Sequence, residues 1–251
     1  MTRKLFFPLC IAITSCLAAQ NSSDIPTSRR SIKAVKVQTP QLEQVLMAAN
    51  LNLGSPVFLR ITKTQSRREN TGRLEVFVEN ASGEFEYFKA WEICNYSGAL
   101  GPKLKQGDRQ SPEGFYFVTP SRLNPNSSFH LSFNLGYPNA FDRAHARTGD
   151  FLMVHGDCVS IGCYAMTDDG IEEIYTLVQA ALKGGQGFVR VHTFPFPMTD
   201  ENMQAYEGHK DFAFWQNLKQ GWDWFETHKR PPNVEVKAKT YVFEAEGARV
   251  D

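Results

Sequence analysis

The chain has 251 residues, 42% of them hydrophobic, with 27 Lys+Arg balanced by 27 Asp+Glu. That is enough apolar material for one sizeable core, and zero formal net charge removes the basic footprint of a nucleic-acid binder or a polybasic membrane-surface protein. A charged fraction of 22% and an aromatic fraction of 12%, with 13 prolines and 18 glycines, exclude a disordered, collagenous or coiled-coil chain and leave a β-rich enzyme or binding domain.

Arg3 and Lys4, the apolar run 5–15 and the small residues Ala18 and Ala19 have the layout of a secretory signal over residues 1–19. Ile13-Thr14-Ser15-Cys16 also has the form of a lipobox. In that case the leader ends at Ser15, and a lipid on Cys16 is the chain's one attachment to a membrane, because the apolar run is shorter than the roughly 20 residues that span a bilayer. Residues 20–38 are polar and read as a tether. Thr39 and Pro40 read as N-cap and first position of a helix whose Leu42, Val45, Leu46 and Ala49 share one face.

Alternation predicts strands over 57–62 and 74–79, a turn at 80–83 and another β run over 85–94. The stretch 95–114, dense in Gly, Pro and Lys, predicts a long surface loop of the kind that lines sites. Further strands are predicted over 115–118, 129–135 and 151–155. Beyond Asp168-Asp169 the period changes to 3.6, with Ile171, Ile174, Leu177, Val178 and Ala181 on one helix face and Gly184-Gly185 as its stop. A strand over 188–193 follows. The remainder carries Trp215, Trp222 and Trp224, read as a helix packed over the sheet, and a hairpin around 234–243.

Removal of Cys10 and Cys16 with the leader leaves Cys94, Cys158 and Cys163. An odd number in a disulfide-permitting compartment requires a free thiol or a bridge between chains. The chemistry concentrates in 153–164, where His155-Gly156 ends a strand and Gly162-Cys163 makes a turn. Glycine before a nucleophile permits a tight turn that exposes the thiol and aims N–H groups at a developing oxyanion. A helix start soon after Cys163 would favour thiolate, and imidazole supplies the base. His155 is the nearest base in sequence and His145 its competitor; His130 and His192 fall in strand-like runs, and His209 and His228 in the C-terminal part. The alternative, a zinc site on His155, Cys158 and Cys163, matches no established ligand spacing, so neither metal nor cofactor is expected. Tyr137, Asp142, Arg143 and Arg147 precede the catalytic strand as candidate contacts to carboxylates or amines, although most such charges are simply solvated.

His155-Gly156 followed by Ser160-Ile161-Gly162-Cys163 resembles the signature of the YkuD-type L,D-transpeptidases. Tyr96-Ser97-Gly98, Gly101-Pro102-Lys103, Gln106-Gly107-Asp108, Ser111-Pro112-Glu113-Gly114-Phe115-Tyr116, Pro138-Asn139-Ala140, Asp142-Arg143-Ala144-His145 and Gly162-Cys163-Tyr164-Ala165-Met166 are similar to the YafK branch of that family. The resemblance implies a β-rich α+β fold with a catalytic β-sandwich over 39–193 and a C-terminal extension over 194–251 packed on it. It implies Cys163 as nucleophile, attacking the L-centre carbonyl of the diamino acid in a peptidoglycan stem peptide, with His155 as base and backbone N–H groups of Gly162, Cys163 and Gly156 around the oxyanion. Ser160, Tyr164, Tyr137, Asp142 and Arg143 are the candidate substrate contacts.

Two residues depart from the wider family: Ile161 stands where it usually has His, and Ala165 where it usually has Arg or Asn. The branch shares both. It implies a periplasmic amidase that cuts peptidoglycan from a covalently bound outer-membrane lipoprotein. Transpeptidation is the alternative within the family, and a non-catalytic envelope-binding module the alternative outside it. With Cys163 as the free nucleophile, Cys94 and Cys158 either bridge or stay reduced; reduced is the expectation, since a misplaced bridge five residues from Cys163 would inhibit.

Overall fold

The computed structural model describes residues 25–244, so the leader and Cys16 lie outside the described residues. The first helix, α1 (Arg29–Ala48), begins well before Thr39. Its start is fixed by a reciprocal cap in which Ser28 Oγ accepts from Ser31 N–H at 3.1 Å and Ser31 Oγ accepts from Ser28 N–H at 2.8 Å. Residues 29–38 of the expected tether are therefore helical. Pro40 lies inside the helix rather than at its start. The cost of its missing N–H is offset by burial of Ala34 on one side and Leu42 and Leu46 on the other.

The chain continues through β1 (Val57–Thr62), β2 (Arg73–Glu79), β3 (Phe85–Glu92), β4 (Asn95–Tyr96), β5 (Gly114–Val118), β6 (Leu123–Asn124), β7 (Ser132–Asn134), α2 (Ala140–Ala144), β8 (Met153–His155), β9 (Tyr164–Ala165), α3 (Asp168–Lys183), β10 (Val189–Phe194), α4 (Asp200–Ala205), α5 (Phe212–His228), β11 (Asn233–Lys237) and β12 (Thr240–Glu244). Two five-stranded sheets result, ordered β3-β2-β1-β10-β5 and β4-β9-β8-β7-β6, beside the β11-β12 hairpin. The expected long loop over 95–114 thus contributes an edge strand, β4, to the second sheet.

One core joins the two sheets and the apolar face of α3. Val57, Leu59 and Ile61 of β1, Phe133 of β7, Val154 of β8, Tyr164 of β9 and Ile171, Ile174 and Val178 of α3 belong to it. All six residues of β1 are buried, because Phe58 on the opposite face packs with Phe77, Phe85 and Phe225. A second cluster, including Phe115, Phe194, Phe196, Trp215, Trp222 and Tyr241, seats α5 and the hairpin on the first sheet. Trp215 and Trp222 are core residues there.

The pairing of β8 with β9 positions the site. The two strands are parallel neighbours, yet only residues 156–163 connect them, where parallel pairs ordinarily need a dozen or more residues. The connection reverses direction through positive φ at Asp157 (66°), Cys158 (44°) and Gly162 (151°).

Cys94 and Cys158, expected to stay reduced, form a disulfide with Cα atoms 5.3 Å apart. The β4-β9 register, Asn95 opposite Ala165, brings residue 94 to the edge of β9, and Cys158 N–H donates to Met166 O at 3.3 Å. The bridge therefore clamps the 156–163 connection to the sheet edge and leaves Cys163 as the free thiol among the described residues. Replacing both bridged cysteines by serine should lower unfolding stability by roughly 2–5 kcal/mol, read as a lower denaturant midpoint. An unchanged midpoint would show that the bridge is not made in solution.

Candidate active site

In the parallel register Val154 faces Tyr164 and His155 faces Ala165. Side chains alternate along a strand, so the core positions of Val154 and Tyr164 send Met153, His155 and Cys163 to the other face. Cys163 is half-buried. Met153 N–H donates to its sulfur at 3.4 Å, and the thiol points at Phe151 O at 3.5 Å. Its carbonyl is held by two hydroxyls at once: Ser111 Oγ donates at 2.9 Å and Ser160 Oγ at 2.8 Å. Ser97 completes the clamp, donating from its N–H to Ser111 Oγ at 3.1 Å and lying 2.8 Å from Ser160 Oγ through its own hydroxyl. Three serines from three segments thus fix the peptide that follows the sulfur.

His155 is buried, and its ring packs on Phe129 with centroids 4.7 Å apart. Nδ1 lies 2.6 Å from Gly156 O. A carbonyl only accepts, so Nδ1 carries the proton and Nε2 is the atom left to act as base. Burial pushes the imidazole below its usual 6.5, against the Gly156 carbonyl and Asp157, which favour the charged form. Burial likewise pushes the Cys163 thiol up, with the Met153 N–H and the Lys103 cation pulling it back. The expectation of a low-pKa thiolate is reversed, because burial outweighs the N–H and the cation beside the sulfur. At neutral pH the site holds a neutral thiol and a neutral imidazole.

Gly156 has no room for a side chain: a Cβ there would lie 2.5 Å from Asp168 Oδ1 and 2.9 Å from His130 Cβ. Its N–H donates to the carbonyls of Phe129 and Leu131 at 3.1 and 3.2 Å, so the expected role as oxyanion donor falls away. Gly162 turns the chain at φ 151° and donates its N–H to Ser160 Oγ at 3.2 Å.

Most of the anticipated substrate contacts are structural. Tyr164 is fully buried, with its hydroxyl on Pro112 O at 2.5 Å. Tyr137 is buried and donates to Lys103 O at 3.1 Å. Asp142 is buried inside the fold, accepting from Arg147 Nη1 at 2.8 Å, Tyr116 OH at 3.0 Å and Asn139 N–H at 3.1 Å. Arg143 is exposed and caps Pro138 O. Ser160 reaches the site, though through the carbonyl clamp. His145, the competing base, packs at a tilt against Phe141 and meets Lys239 O at 2.9 Å, and Cys158, in its disulfide, is unavailable to zinc.

Sequence reasoning gave no role to Lys103, Ser97 or Ser111. Lys103 is 4% exposed, and its ammonium sits 2.5 Å from Asp108 Oδ1 and 3.0 Å from Lys105 O. The signal for all three lay in the polar positions of the loop around 97–111, which carry no periodicity. The arrangement as a whole, a thiol and a base of fixed tautomer on one sheet face with the adjoining peptide immobilised, suits nucleophilic acyl transfer.

No family model matches the chain. It is 42% identical over 245 residues, 96% of its length and 90% of the relative's, to a protein of Escherichia coli (strain K12) named "Putative L,D-transpeptidase YafK", and to the same extent to the protein of that name from Escherichia coli O157:H7. Among solved structures it is similar to the helical cell shape determining protein Pgp2 from Campylobacter jejuni, at 17% identity over 72% of this chain and 73% of that one, with a TM-score of 0.41. It is also similar to Bdellovibrio bacteriovorus Bd1075, at 14% identity over 73% and 77%, with a TM-score of 0.38.

Proposed function

We propose, because the chain belongs to the L,D-transpeptidase family, that it is an exported cell-wall enzyme working through Cys163 and His155. The observation that carries this reading is the fixed His155 tautomer, Nδ1 on Gly156 O at 2.6 Å, on the same sheet face as the one free thiol of the described residues. His155 Nε2 takes the thiol proton as sulfur attacks the L-centre carbonyl of the stem-peptide diamino acid. The S–C bond forms, the C–N bond breaks, and the imidazolium returns its proton to the departing amine. Water then repeats the sequence on the thioester. Cys163 N–H, together with Gly162 N–H once it leaves Ser160, serves the oxyanion.

The departing amine is a lysine of a lipoprotein bound to peptidoglycan, which makes the overall reaction hydrolysis. Ala165 supports this choice. It sits opposite His155, fully buried, and offers no polar group to orient an amine acceptor, which leaves water better placed to compete. Export rests on the leader over 1–19, and attachment to the outer membrane on Cys16; no helix among the described residues is long and apolar enough to cross a membrane.

Sacculi carrying covalently bound lipoprotein decide the matter by mass analysis of products. The expected outcome is a released lysine amine and a stem ending at the diamino acid. New diamino-acid-to-diamino-acid cross-links, with the lipoprotein still attached, would assign transpeptidation instead. Neither product would leave an envelope-binding module.

A further inference from the structure

The walls around the thiol carry apolar side chains that the chemistry above does not use. Phe151, whose carbonyl meets Cys163 Sγ, is 69% exposed and held at φ 51°, a conformation that is a genuine outlier for a bulky residue. Val159 and Ile161, on either side of the clamping Ser160, are 49% and 82% exposed. Leu104, 55% exposed, belongs to the loop opposite, which is stitched to the Phe151 segment by Thr148 N–H to Leu104 O at 3.1 Å and Asp150 N–H to Gln106 Oε1 at 3.2 Å. Single exposed apolar residues need no explanation; these four sit on segments that backbone contacts bring to the thiol and to one another, and exposed apolar residues grouped around a site mark a binding surface.

Charge divides the same rim. Residues 148–162 contain the exposed Asp150 and Asp157 and no Lys or Arg, while the facing loop exposes Lys105 and Arg109. Glycan and stem peptide present hydroxyls and carboxylates, which suit the basic loop. The acidic, apolar side suits something else.

We infer that Phe151, Val159 and Ile161, with Leu104 across from them, form a collar that receives the polypeptide on the departing-amine side of the scissile bond, a segment pairing apolar side chains with positive charge beside its linked lysine. The inference rests on the hydrolytic reading above and adds the part of the substrate that this reading leaves undefined. Strain at Phe151 has a role in it, since a backbone outlier whose carbonyl meets the thiol and whose ring stays exposed persists only where surrounding structure holds it.

The test compares two substrates with three proteins: wild type, Val159→Ser/Ile161→Ser, and Asp150→Asn. Both serines replace exposed side chains that the thiol does not touch, and alkylation of Cys163 by iodoacetamide at the wild-type rate certifies an intact site. One substrate is sacculus-bound lipoprotein; the other is a disaccharide muropeptide whose diamino acid is amide-linked to free lysine. The double variant should lose roughly tenfold in kcat/KM on the first substrate and nothing on the second, and Asp150→Asn should fall in the same direction by less. An equal loss on both substrates would assign the collar to glycan or stem peptide and overturn the inference; so would no loss on either. A wild-type enzyme that releases lipoprotein while the variants match it condemns the collar alone. A wild type that cleaves neither substrate condemns the hydrolytic reading, and the collar with it.

Discussion

Cys163→Ala should abolish turnover, and His155→Ala should slow acylation by roughly 10²–10⁴-fold, the range for loss of a positioned general base. On the proposed mechanism the two variants fail for different reasons. Without sulfur no acyl-enzyme forms, whereas without imidazole the thiol keeps its place between Met153 N–H and Phe151 O but has no acceptor for its proton.

Acidity makes the assignment sharper. Burial depresses His155 below 6.5 and raises Cys163 above 9.0, so the base is already neutral in mildly acidic solution. Activity should therefore hold as pH falls through 6.5 and be lost only below it, and His155→Ala should erase that acid limb. The sign for stability follows from the same depression: the unfolded chain binds a proton at His155, and at His192, whose pKa is driven well below 6.5 by burial, where the folded chain does not. Folded stability therefore declines as pH drops below about 6.5. Turnover by Cys163→Ala would end the mechanism, and an acid limb that survives His155→Ala would move the base elsewhere.

Much of the fold was legible because its elements are periodic. Val57 to Thr62 alternate, and Ile171, Ile174, Leu177, Val178 and Ala181 repeat every third or fourth position; both became elements at the core. The candidate nucleophile and base were legible because the glycines beside them mark turns, and Gly156 and Gly162 prove to be a close approach and a positive φ. What escaped depends on contacts between distant segments. The Ser28–Ser31 cap sits in a serine-rich stretch with no apolar period, so residues 29–38 of α1 read as a tether while the part from Thr39 reads as a helix. Cys94 and Cys158 are separated by 64 positions and meet only through the β4-β9 register. Ser111 reaches the Cys163 carbonyl across 52 positions. The direction of the thiol's shift was misjudged because burial, the largest influence on it, arises from packing that no local motif encodes.

Glu113→Ala should cost about 3–5 kcal/mol of stability, the usual penalty for stripping one partner from a buried ion pair. For a domain whose total is roughly 5–15 kcal/mol, that is a large share. Glu113 and Lys63 are both fully buried. One carboxylate oxygen accepts from Lys63 Nζ at 2.9 Å and from Gly101 N–H at 2.7 Å; the other accepts from Trp215 Nε1 at 2.9 Å. A single side chain therefore ties the end of β1, the loop ahead of Lys103 and helix α5 together, two residues from the Ser111 that grips the Cys163 carbonyl. Burial already pulls the Lys63 pKa down against the attraction of Glu113. Once the carboxylate is gone the ammonium keeps the carbonyls of Gly101 and Ala99 but loses its buried counter-charge, and the folded state will bind its proton less tightly than the unfolded chain does. The defect should therefore shrink as pH rises toward the ordinary lysine range, and Lys63→Met in the Glu113→Ala background should recover part of the loss by removing the stranded charge. Denaturant midpoints across pH read both effects. A Glu113→Ala unfolding free energy within about 1 kcal/mol of wild type, or a loss indifferent to pH and to Lys63→Met, would mean that the loop is anchored by its apolar contacts rather than by this pair.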